Sequence, residues 1–355
     1  MGRTHKNGFI NSVLKELGND YASVVDDGVP TGDISGYIDT GSYIINAQIS
    51  GSIHGGIPDN KVTVLAGHEA TGKTFFCVEI IKNFLEKNDE GYCFYFESEG
   101  AISKDMFSDR RIDTKRIGII PVSTVQEFRT QCLKLIRSYK NVDEADRKPI
   151  LLVLDSLGNL STTKEMEDSE AGKETRDMTR AQLIKGTFRV ITLALSKVRV
   201  PLLVTNHTYQ VVGSLFASKE MGGGSGIKFA GSTIIFLSRG KDKDSDKNVT
   251  GNIIFSEIVK SRFTKQFKKV VTLLSFEEGL HPYYGLLELG EKHGIFKKVA
   301  NKYEMPDGTK EFRKAILKDP ETYFTDEVMD RIEEVAKKEF CFGNINEMIE
   351  GEVEV

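Results

Sequence analysis

The chain has 355 residues, 39% hydrophobic and 28% charged, with a formal net charge of −4. That balance argues against a disordered polyelectrolyte and a membrane-embedded chain, and predicts a soluble globular protein with one large core and small appendages. Four cysteines, at 77, 93, 132 and 341, form no CxxC pair, so the expectation is free thiols in a reducing compartment, without signal peptide or membrane span.

Residues 1–35 read as a small leading unit. Phe9, Ile10, Val13, Leu14 and Leu17 share one helix face, and Gly18-Asn19-Asp20 ends it. So short a helix must pack on its own core or on a neighbouring subunit. Asp26–Asp33 reads as a turn or linker.

The core is expected over residues 36–283. Val62–Ala66 is a short apolar strand. Gly67-His68-Glu69-Ala70-Thr71-Gly72-Lys73-Thr74 follows it, with two glycines at phosphate-loop spacing before Lys-Thr. Phe76, Ile80 and Phe84 then recur at helical spacing. Such a loop aims backbone N–H groups and a helix dipole at phosphate oxygens. Lys73 would neutralise the β- and γ-phosphates, and the Thr74 hydroxyl would hold Mg²⁺.

Further strands are expected at 92–96, 117–121, 150–154 and 201–205, with helices at 124–140 and 178–199. Continuous apolar runs of this kind mark a parallel sheet covered on both faces. Ligands bind at the carboxyl ends of such strands. Asp155 ends one of them and is the expected second nucleotide-binding element, a carboxylate that holds Mg²⁺ directly or through water. Glu97 and Glu99 end another. They share a face if pairing continues to Glu99, and either suits the base that polarises water. His207 ends a third, as a γ-phosphate sensor or as an ordinary strand-end histidine.

Two long polar loops are expected, Ser161–Asp177 and Thr208–Lys228, either for nucleotide-gated binding of a large ligand or as surface insertions. Strands at 232–238, 252–259 and 269–275 follow quickly and predict an antiparallel extension. The run 260–269 interleaves Phe263 and Phe267 with five cations. Its Lys260 and Arg262 suit nucleic-acid phosphates, a neighbour's nucleotide, or simple solvation. Residues 284–355 read as a small α-rich unit, with helices near 285–294 and at 326–340, a polar stretch at 301–309, and an acidic end from Glu347 to Val355.

Together these segments resemble the RecA recombinase family, most closely its T4-type phage branch. The likeness is carried by Gly67–Thr74, Phe96-Glu97-Ser98-Glu99, Leu154-Asp155-Ser156-Leu157-Gly158-Asn159-Leu160, Asp177–Ala181, Asn206-His207-Thr208-Tyr209, Met221–Gly226 and Val259-Lys260-Ser261-Arg262. The resemblance implies an α/β fold with a RecA-like P-loop ATPase core, and an ATP- and Mg²⁺-dependent strand-exchange recombinase filamenting on single-stranded DNA. It implies nucleotide contacts from Gly67 through Thr74 to Phe75, and from Asp155. Glu99 becomes the hydrolytic base, and His207 the γ-phosphate sensor. The two loops become DNA-binding, with Arg176, Arg180, Val212, Gly213, Gly223 and Lys228 near the strand. Lys260 and Arg262 would reach the neighbouring subunit's ATP, and the leading helix would dock on the adjacent protomer. Single-strand-binding and mediator proteins, duplex DNA and a bacterial host cytoplasm are the implied surroundings, and the acidic end resembles autoinhibitory tails. One departure stands out: the family's adenine-stacking tyrosine falls near Met106-Phe107. A ring helicase usually carries a collar domain, for which 35 leading residues leave little room. A non-catalytic mediator fits poorly with Lys73, Glu99 and Asp155 all present.

Overall fold

Two apolar layers sandwich one sheet, as the uninterrupted strand hydrophobicity demands. The computed structural model describes residues 8–173, 178–210, 219–244 and 246–343. In chain order the first elements are α1 (Gly8–Glu16), β1 (Tyr37–Ile38), α2 (Tyr43–Ser50), β2 (Ile57–Pro58), β3 (Val62–Gly67), α3 (Lys73–Lys87), β4 (Tyr92–Glu97), α4 (Lys104–Ser108), β5 (Ile117–Pro121), α5 (Val125–Lys140) and β6 (Ile150–Asp155). They continue with α6 (Thr163–Glu170), α7 (Arg180–Val198), β7 (Leu202–Gln210), β8 (Lys219–Met221), α8 (Ser225–Ala230), β9 (Thr233–Lys243), β10 (Val249–Ser261), β11 (Lys269–Ser275) and β12 (Gly279–Leu280). The trailing part holds α9 (Leu286–Lys292), β13 (Lys297–Val299), β14 (Lys302–Glu304), β15 (Lys310–Phe312), α10 (Arg313–Lys318), α11 (Pro320–Tyr323) and α12 (Asp326–Phe340).

Among the described residues the main sheet has ten strands in the order β12-β11-β10-β9-β3-β7-β6-β4-β5, with β8 paired to β7. From β9 to β5 the pairing is parallel. β9, expected in the antiparallel extension, thus closes the parallel set, and the antiparallel part begins with β10. Along β6 the side chains alternate between two cores. Leu151 and Val153 join the α3 side, and Leu152 and Leu154 join the side packed by α5 and α7. Phe96, Phe128 and Phe188 form the aromatic centre of the second core. Thr124 caps α5 by accepting from the Glu127 N–H.

Several expectations change. Within Ser161–Asp177 the described residues form α6, closed by a reciprocal cap between Thr162 and Glu165. The segment Thr208–Lys228 is also less irregular than expected, because β7 runs on to Gln210, β8 pairs back onto it and α8 follows. The trailing unit is α-rich as expected, and it also holds a small sheet. Its polar stretch at 301–309 belongs to a three-stranded antiparallel sheet, β13-β14-β15, with Tyr303 and Met305 buried. That unit shares the α3-side core, which runs unbroken from Ile38 to Phe340. α1 buries none of its residues, and Phe9 is 82% exposed. Its apolar face therefore finds no partner among the described residues. The four cysteines are free thiols. No helix among the described residues is long and apolar enough to cross a membrane.

Candidate functional site

The phosphate loop joins β3 to α3 and needs its glycines. A Cβ on Gly67 would meet the Leu237 carbonyl at 2.8 Å and the Thr71 hydroxyl at 2.7 Å. Gly72 sits at φ +86°, a left-handed turn that starts α3 at Lys73. The Thr71 hydroxyl braces the loop by donating to the His68 carbonyl at 2.8 Å. Lys73 is buried and folds back, donating to the carbonyls of Gly67 (3.1 Å) and His68 (2.9 Å). Burial lowers its ammonium pKa against the pull of Asp155 and Glu99.

Thr74 and Asp155 meet at 2.7 Å, hydroxyl donating to carboxylate. Asp155 also accepts from the buried Tyr95 phenol at 2.5 Å and from the Thr205 hydroxyl. Burial pushes the Tyr95 phenol well above its ordinary range.

The two glutamates separate cleanly. β4 stops at Glu97, so the shared face expected for Glu97 and Glu99 does not form. The Glu97 carboxylate instead caps the turn, accepting from the N–H groups of Glu99 and Ala101. Glu99 faces the loop, and its Oε1 accepts from Ser156 Oγ at 2.7 Å and lies 3.1 Å from His207 Nε2. Burial alone would raise the Glu99 carboxyl, but the hydrogen bonds from Ser156 and His207 outweigh it and hold it below the usual range. His207 reaches this point because β7 runs beside β3, level with Gly67. Gly158 leaves the room, since a Cβ there would meet the His207 ring at 2.9 Å.

Glu69, Ala70, Gly72, Lys73, Thr74, Phe75, Glu99, Asp155 and His207 line one cleft of about 300 Å³. The loop offers a phosphate cradle, and Thr74 with Asp155 offers hard oxygen donors that suit Mg²⁺. Among the described residues no cluster of three His, Cys, Asp or Glu side chains is arranged to hold a metal alone. Thr74 and Asp155 would therefore hold a divalent cation only together with ligands from outside the chain. Phe75 is partly exposed at the rim, with the Arg110 guanidinium 4.7 Å above its ring. Phe107 is buried against Tyr95 and takes no part in the cleft surface.

The other expected residues lie outside the cleft. Arg180 donates to the carbonyls of Gly158 and Leu160, bracing the start of the first loop. Gly223 turns at φ +85°, and Lys228 is exposed on α8. Arg176, Val212 and Gly213 lie outside the described residues. Lys260 donates to the carbonyls of Lys228 and Phe229. Ser261 is level with Thr233, and Thr233 with Thr63, at the opening of β3. Lys260 and Arg262 thus stand at the opposite end of the sheet from the chain's own phosphate loop, about 13 Å of strand away. Arg262 lines a separate groove of about 500 Å³ with Lys61, Lys185, Arg189 and Phe229.

Sequence reading missed Tyr95, Ser156 and Thr205. Their only signal is a hydroxyl set into, or just beyond, an apolar strand.

Comparison with known proteins agrees with this architecture. The RecA N-terminal domain family matches residues 9–281. The recombination and repair protein of Enterobacteria phage T4 is 28% identical over 258 residues, covering 73% of this chain and 64% of that protein. Protein RecA of Chelativorans sp. (strain BNC1) is 27% identical over 247 residues, covering 69% and 65%. Protein RecA of Paenarthrobacter aurescens (strain TC1) is 24% identical over 294 residues, covering 80% and 79%. The match thus spans just under two thirds of the length of the first two relatives. With the family match covering most of the chain, and the phosphate loop, Asp155, Glu99 and His207 gathered in one cleft, the chain belongs to the RecA family.

Proposed function

We propose that this chain is an ATP-dependent DNA strand-exchange recombinase that forms helical filaments on single-stranded DNA and pairs it with homologous duplex. One observation carries the reading furthest. The His207 side chain touches Glu99, while its backbone carbonyl accepts from the Gly222 N–H at 3.0 Å. Asn206 beside it donates to the Gly222 carbonyl at 2.8 Å. Gly222 opens the end of the second loop, so two adjacent residues of β7 touch both the hydrolytic centre and the expected DNA-binding segment.

In this reading the loop from Gly67 to Thr74 wraps the phosphates, and Lys73 leaves its carbonyl partners to meet them. Thr74 and Asp155 hold Mg²⁺, which supplies charge neutralisation at the phosphates when bound. Glu99 orients the attacking water and accepts its proton. His207 follows the γ-phosphate, and its loss after hydrolysis releases the Gly222 region and with it the DNA. Phe75 borders the base. Arg176, Arg180, Val212, Gly213, Gly223 and Lys228 belong to the DNA-binding surface. Lys260 and Arg262 complete the nucleotide site of a neighbouring subunit, and the sheet's geometry supports this, since they lie at the opposite end of the sheet from their own cleft. Residues 1–35 serve assembly, 36–283 form the ATPase core, and 284–355 form a smaller accessory unit. A mediator and a single-strand-binding protein in a bacterial cytoplasm are the expected company.

Electron microscopy with single-stranded DNA and a non-hydrolysable ATP analogue tests the proposal. Open helical filaments along the DNA are expected. Closed hexameric rings would turn the reading toward a helicase.

A further inference from the structure

Asp155 is held on both of its oxygens. Oδ1 accepts from Thr205, and Oδ2 accepts from Thr74 and from Tyr95. Thr74 follows the phosphate-loop lysine, and Thr205 lies within β7, one residue beyond Val204, which is level with Leu154. Tyr95 comes from further back. It belongs to β4, level with Val153, two residues short of Asp155 on β6. Its side chain faces α3, in the company of Cys77, Leu151, Val153 and Phe107. An apolar residue is the default in such a place. A buried phenol is costly there unless its hydroxyl finds an acceptor, and the acceptor here is the carboxylate. The Phe107 ring packs edge-on at 6.3 Å and keeps the phenol aimed.

We propose that Tyr95 is a positioning residue for the metal-binding carboxylate, fixing Asp155 Oδ2 from inside the sheet while Thr205 fixes Oδ1. This rests on the Mg²⁺-nucleotide reading above. In the structure Thr74 and Tyr95 share Oδ2. When the Thr74 hydroxyl turns toward a cation, Asp155 loses one of its three donors. Without Tyr95, Oδ2 would then be free to rotate or to follow Thr74. With it, the carboxylate stays where the strand end presents it. Partners of this kind behind a metal ligand typically change metal affinity by about 10–100-fold.

The test titrates Mg²⁺ into the full-length chain with a fluorescent ATP analogue at neutral pH, and measures binding of the same analogue in EDTA. Tyr95→Phe keeps the ring and removes only the hydroxyl. It is expected to raise the Mg²⁺ midpoint about tenfold. Its affinity for the analogue in EDTA should stay within about twofold, because the phosphate loop is untouched. Thr205→Val, isosteric at the other oxygen, should move the midpoint the same way and provides the reading if Tyr95→Phe does not fold. An unchanged or lower midpoint overturns the proposal, as does an equal loss of affinity in EDTA. A wild-type chain that binds the analogue without any Mg²⁺ dependence would instead remove the nucleotide-metal reading, before any variant is compared.

Discussion

His207 Nε2 lies 3.1 Å from Glu99 Oε1. The histidine of β7 thereby closes across β6 onto the glutamate that follows β4. The proposed base and the proposed sensor are thus in direct contact, so a disturbance at either is felt by the other. Glu99→Gln should lower ATP turnover by at least about 100-fold, the usual scale for a general base. ATP-dependent DNA binding should persist. Phosphate release and fluorescence anisotropy measure the two, and normal turnover would assign the base elsewhere.

Ser156 supports the same carboxylate. With Glu99 held below its ordinary range, it stays ionised to lower pH than a free glutamate. Its contribution to stability is full above the unfolded value of about 4.3 and is lost as pH falls through the lower folded value. Ser156→Ala removes one donor, so the acid limb of the hydrolysis profile should move upward in pH. A profile that scales down without shifting would give Ser156 a purely structural part.

The trailing part of the chain has its own titrating tie. Glu339 on α12 accepts from Lys268 at 2.6 Å and Lys292 at 2.7 Å, with His293 at 3.1 Å. Burial would raise it, but the lysine hydrogen bonds prevail and hold its carboxyl at about 2. The stability it adds is complete above about pH 4.3 and fades toward pH 2. Glu339→Gln should cost about 1.5–3 kcal/mol at neutral pH, and should flatten the acid side of a stability–pH curve. Urea melts across pH decide it, and an unaltered curve would remove the tie.

Phe128 is fully buried, edge-on to Phe96 at 5.1 Å and beside Phe188 at 6.2 Å. Phe128→Ala should destabilise by about 3–5 kcal/mol. A denaturant midpoint close to wild type would mean that the cavity collapses on itself.

Phe9 lies on a helix with no buried residue. Phe9→Asp should leave the melting temperature of the monomer unchanged while weakening assembly, as read by light scattering with ATP and DNA. A lowered monomer melt would mean that α1 packs on its own chain.

Much of this site is written locally. The phosphate loop declares itself because glycine spacing, lysine and strand context all coincide within one stretch. Asp155 follows from an apolar run that stops abruptly. The choice between Glu97 and Glu99 is not local, because it depends on where pairing ends and on which backbone N–H groups need an acceptor. α6 carries a legible cap in Thr162 and Glu165, but it buries no residue and so leaves no apolar stripe to read. The small sheet of the accessory unit escapes for another reason. Strands of three residues hold too few side chains to establish a period of two. Tyr95 is hidden because nothing in an apolar strand tells which hydroxyl will find a distant carboxylate.

The folded-back Lys73 means that the loop satisfies its own polar groups. Its ammonium has two carbonyls, and those carbonyls have their donor. An incoming anion must displace a working arrangement, not fill a vacancy. It follows that removing Lys73 is not a clean ablation, since it also strips Gly67 and His68 of the group that keeps their loop in shape.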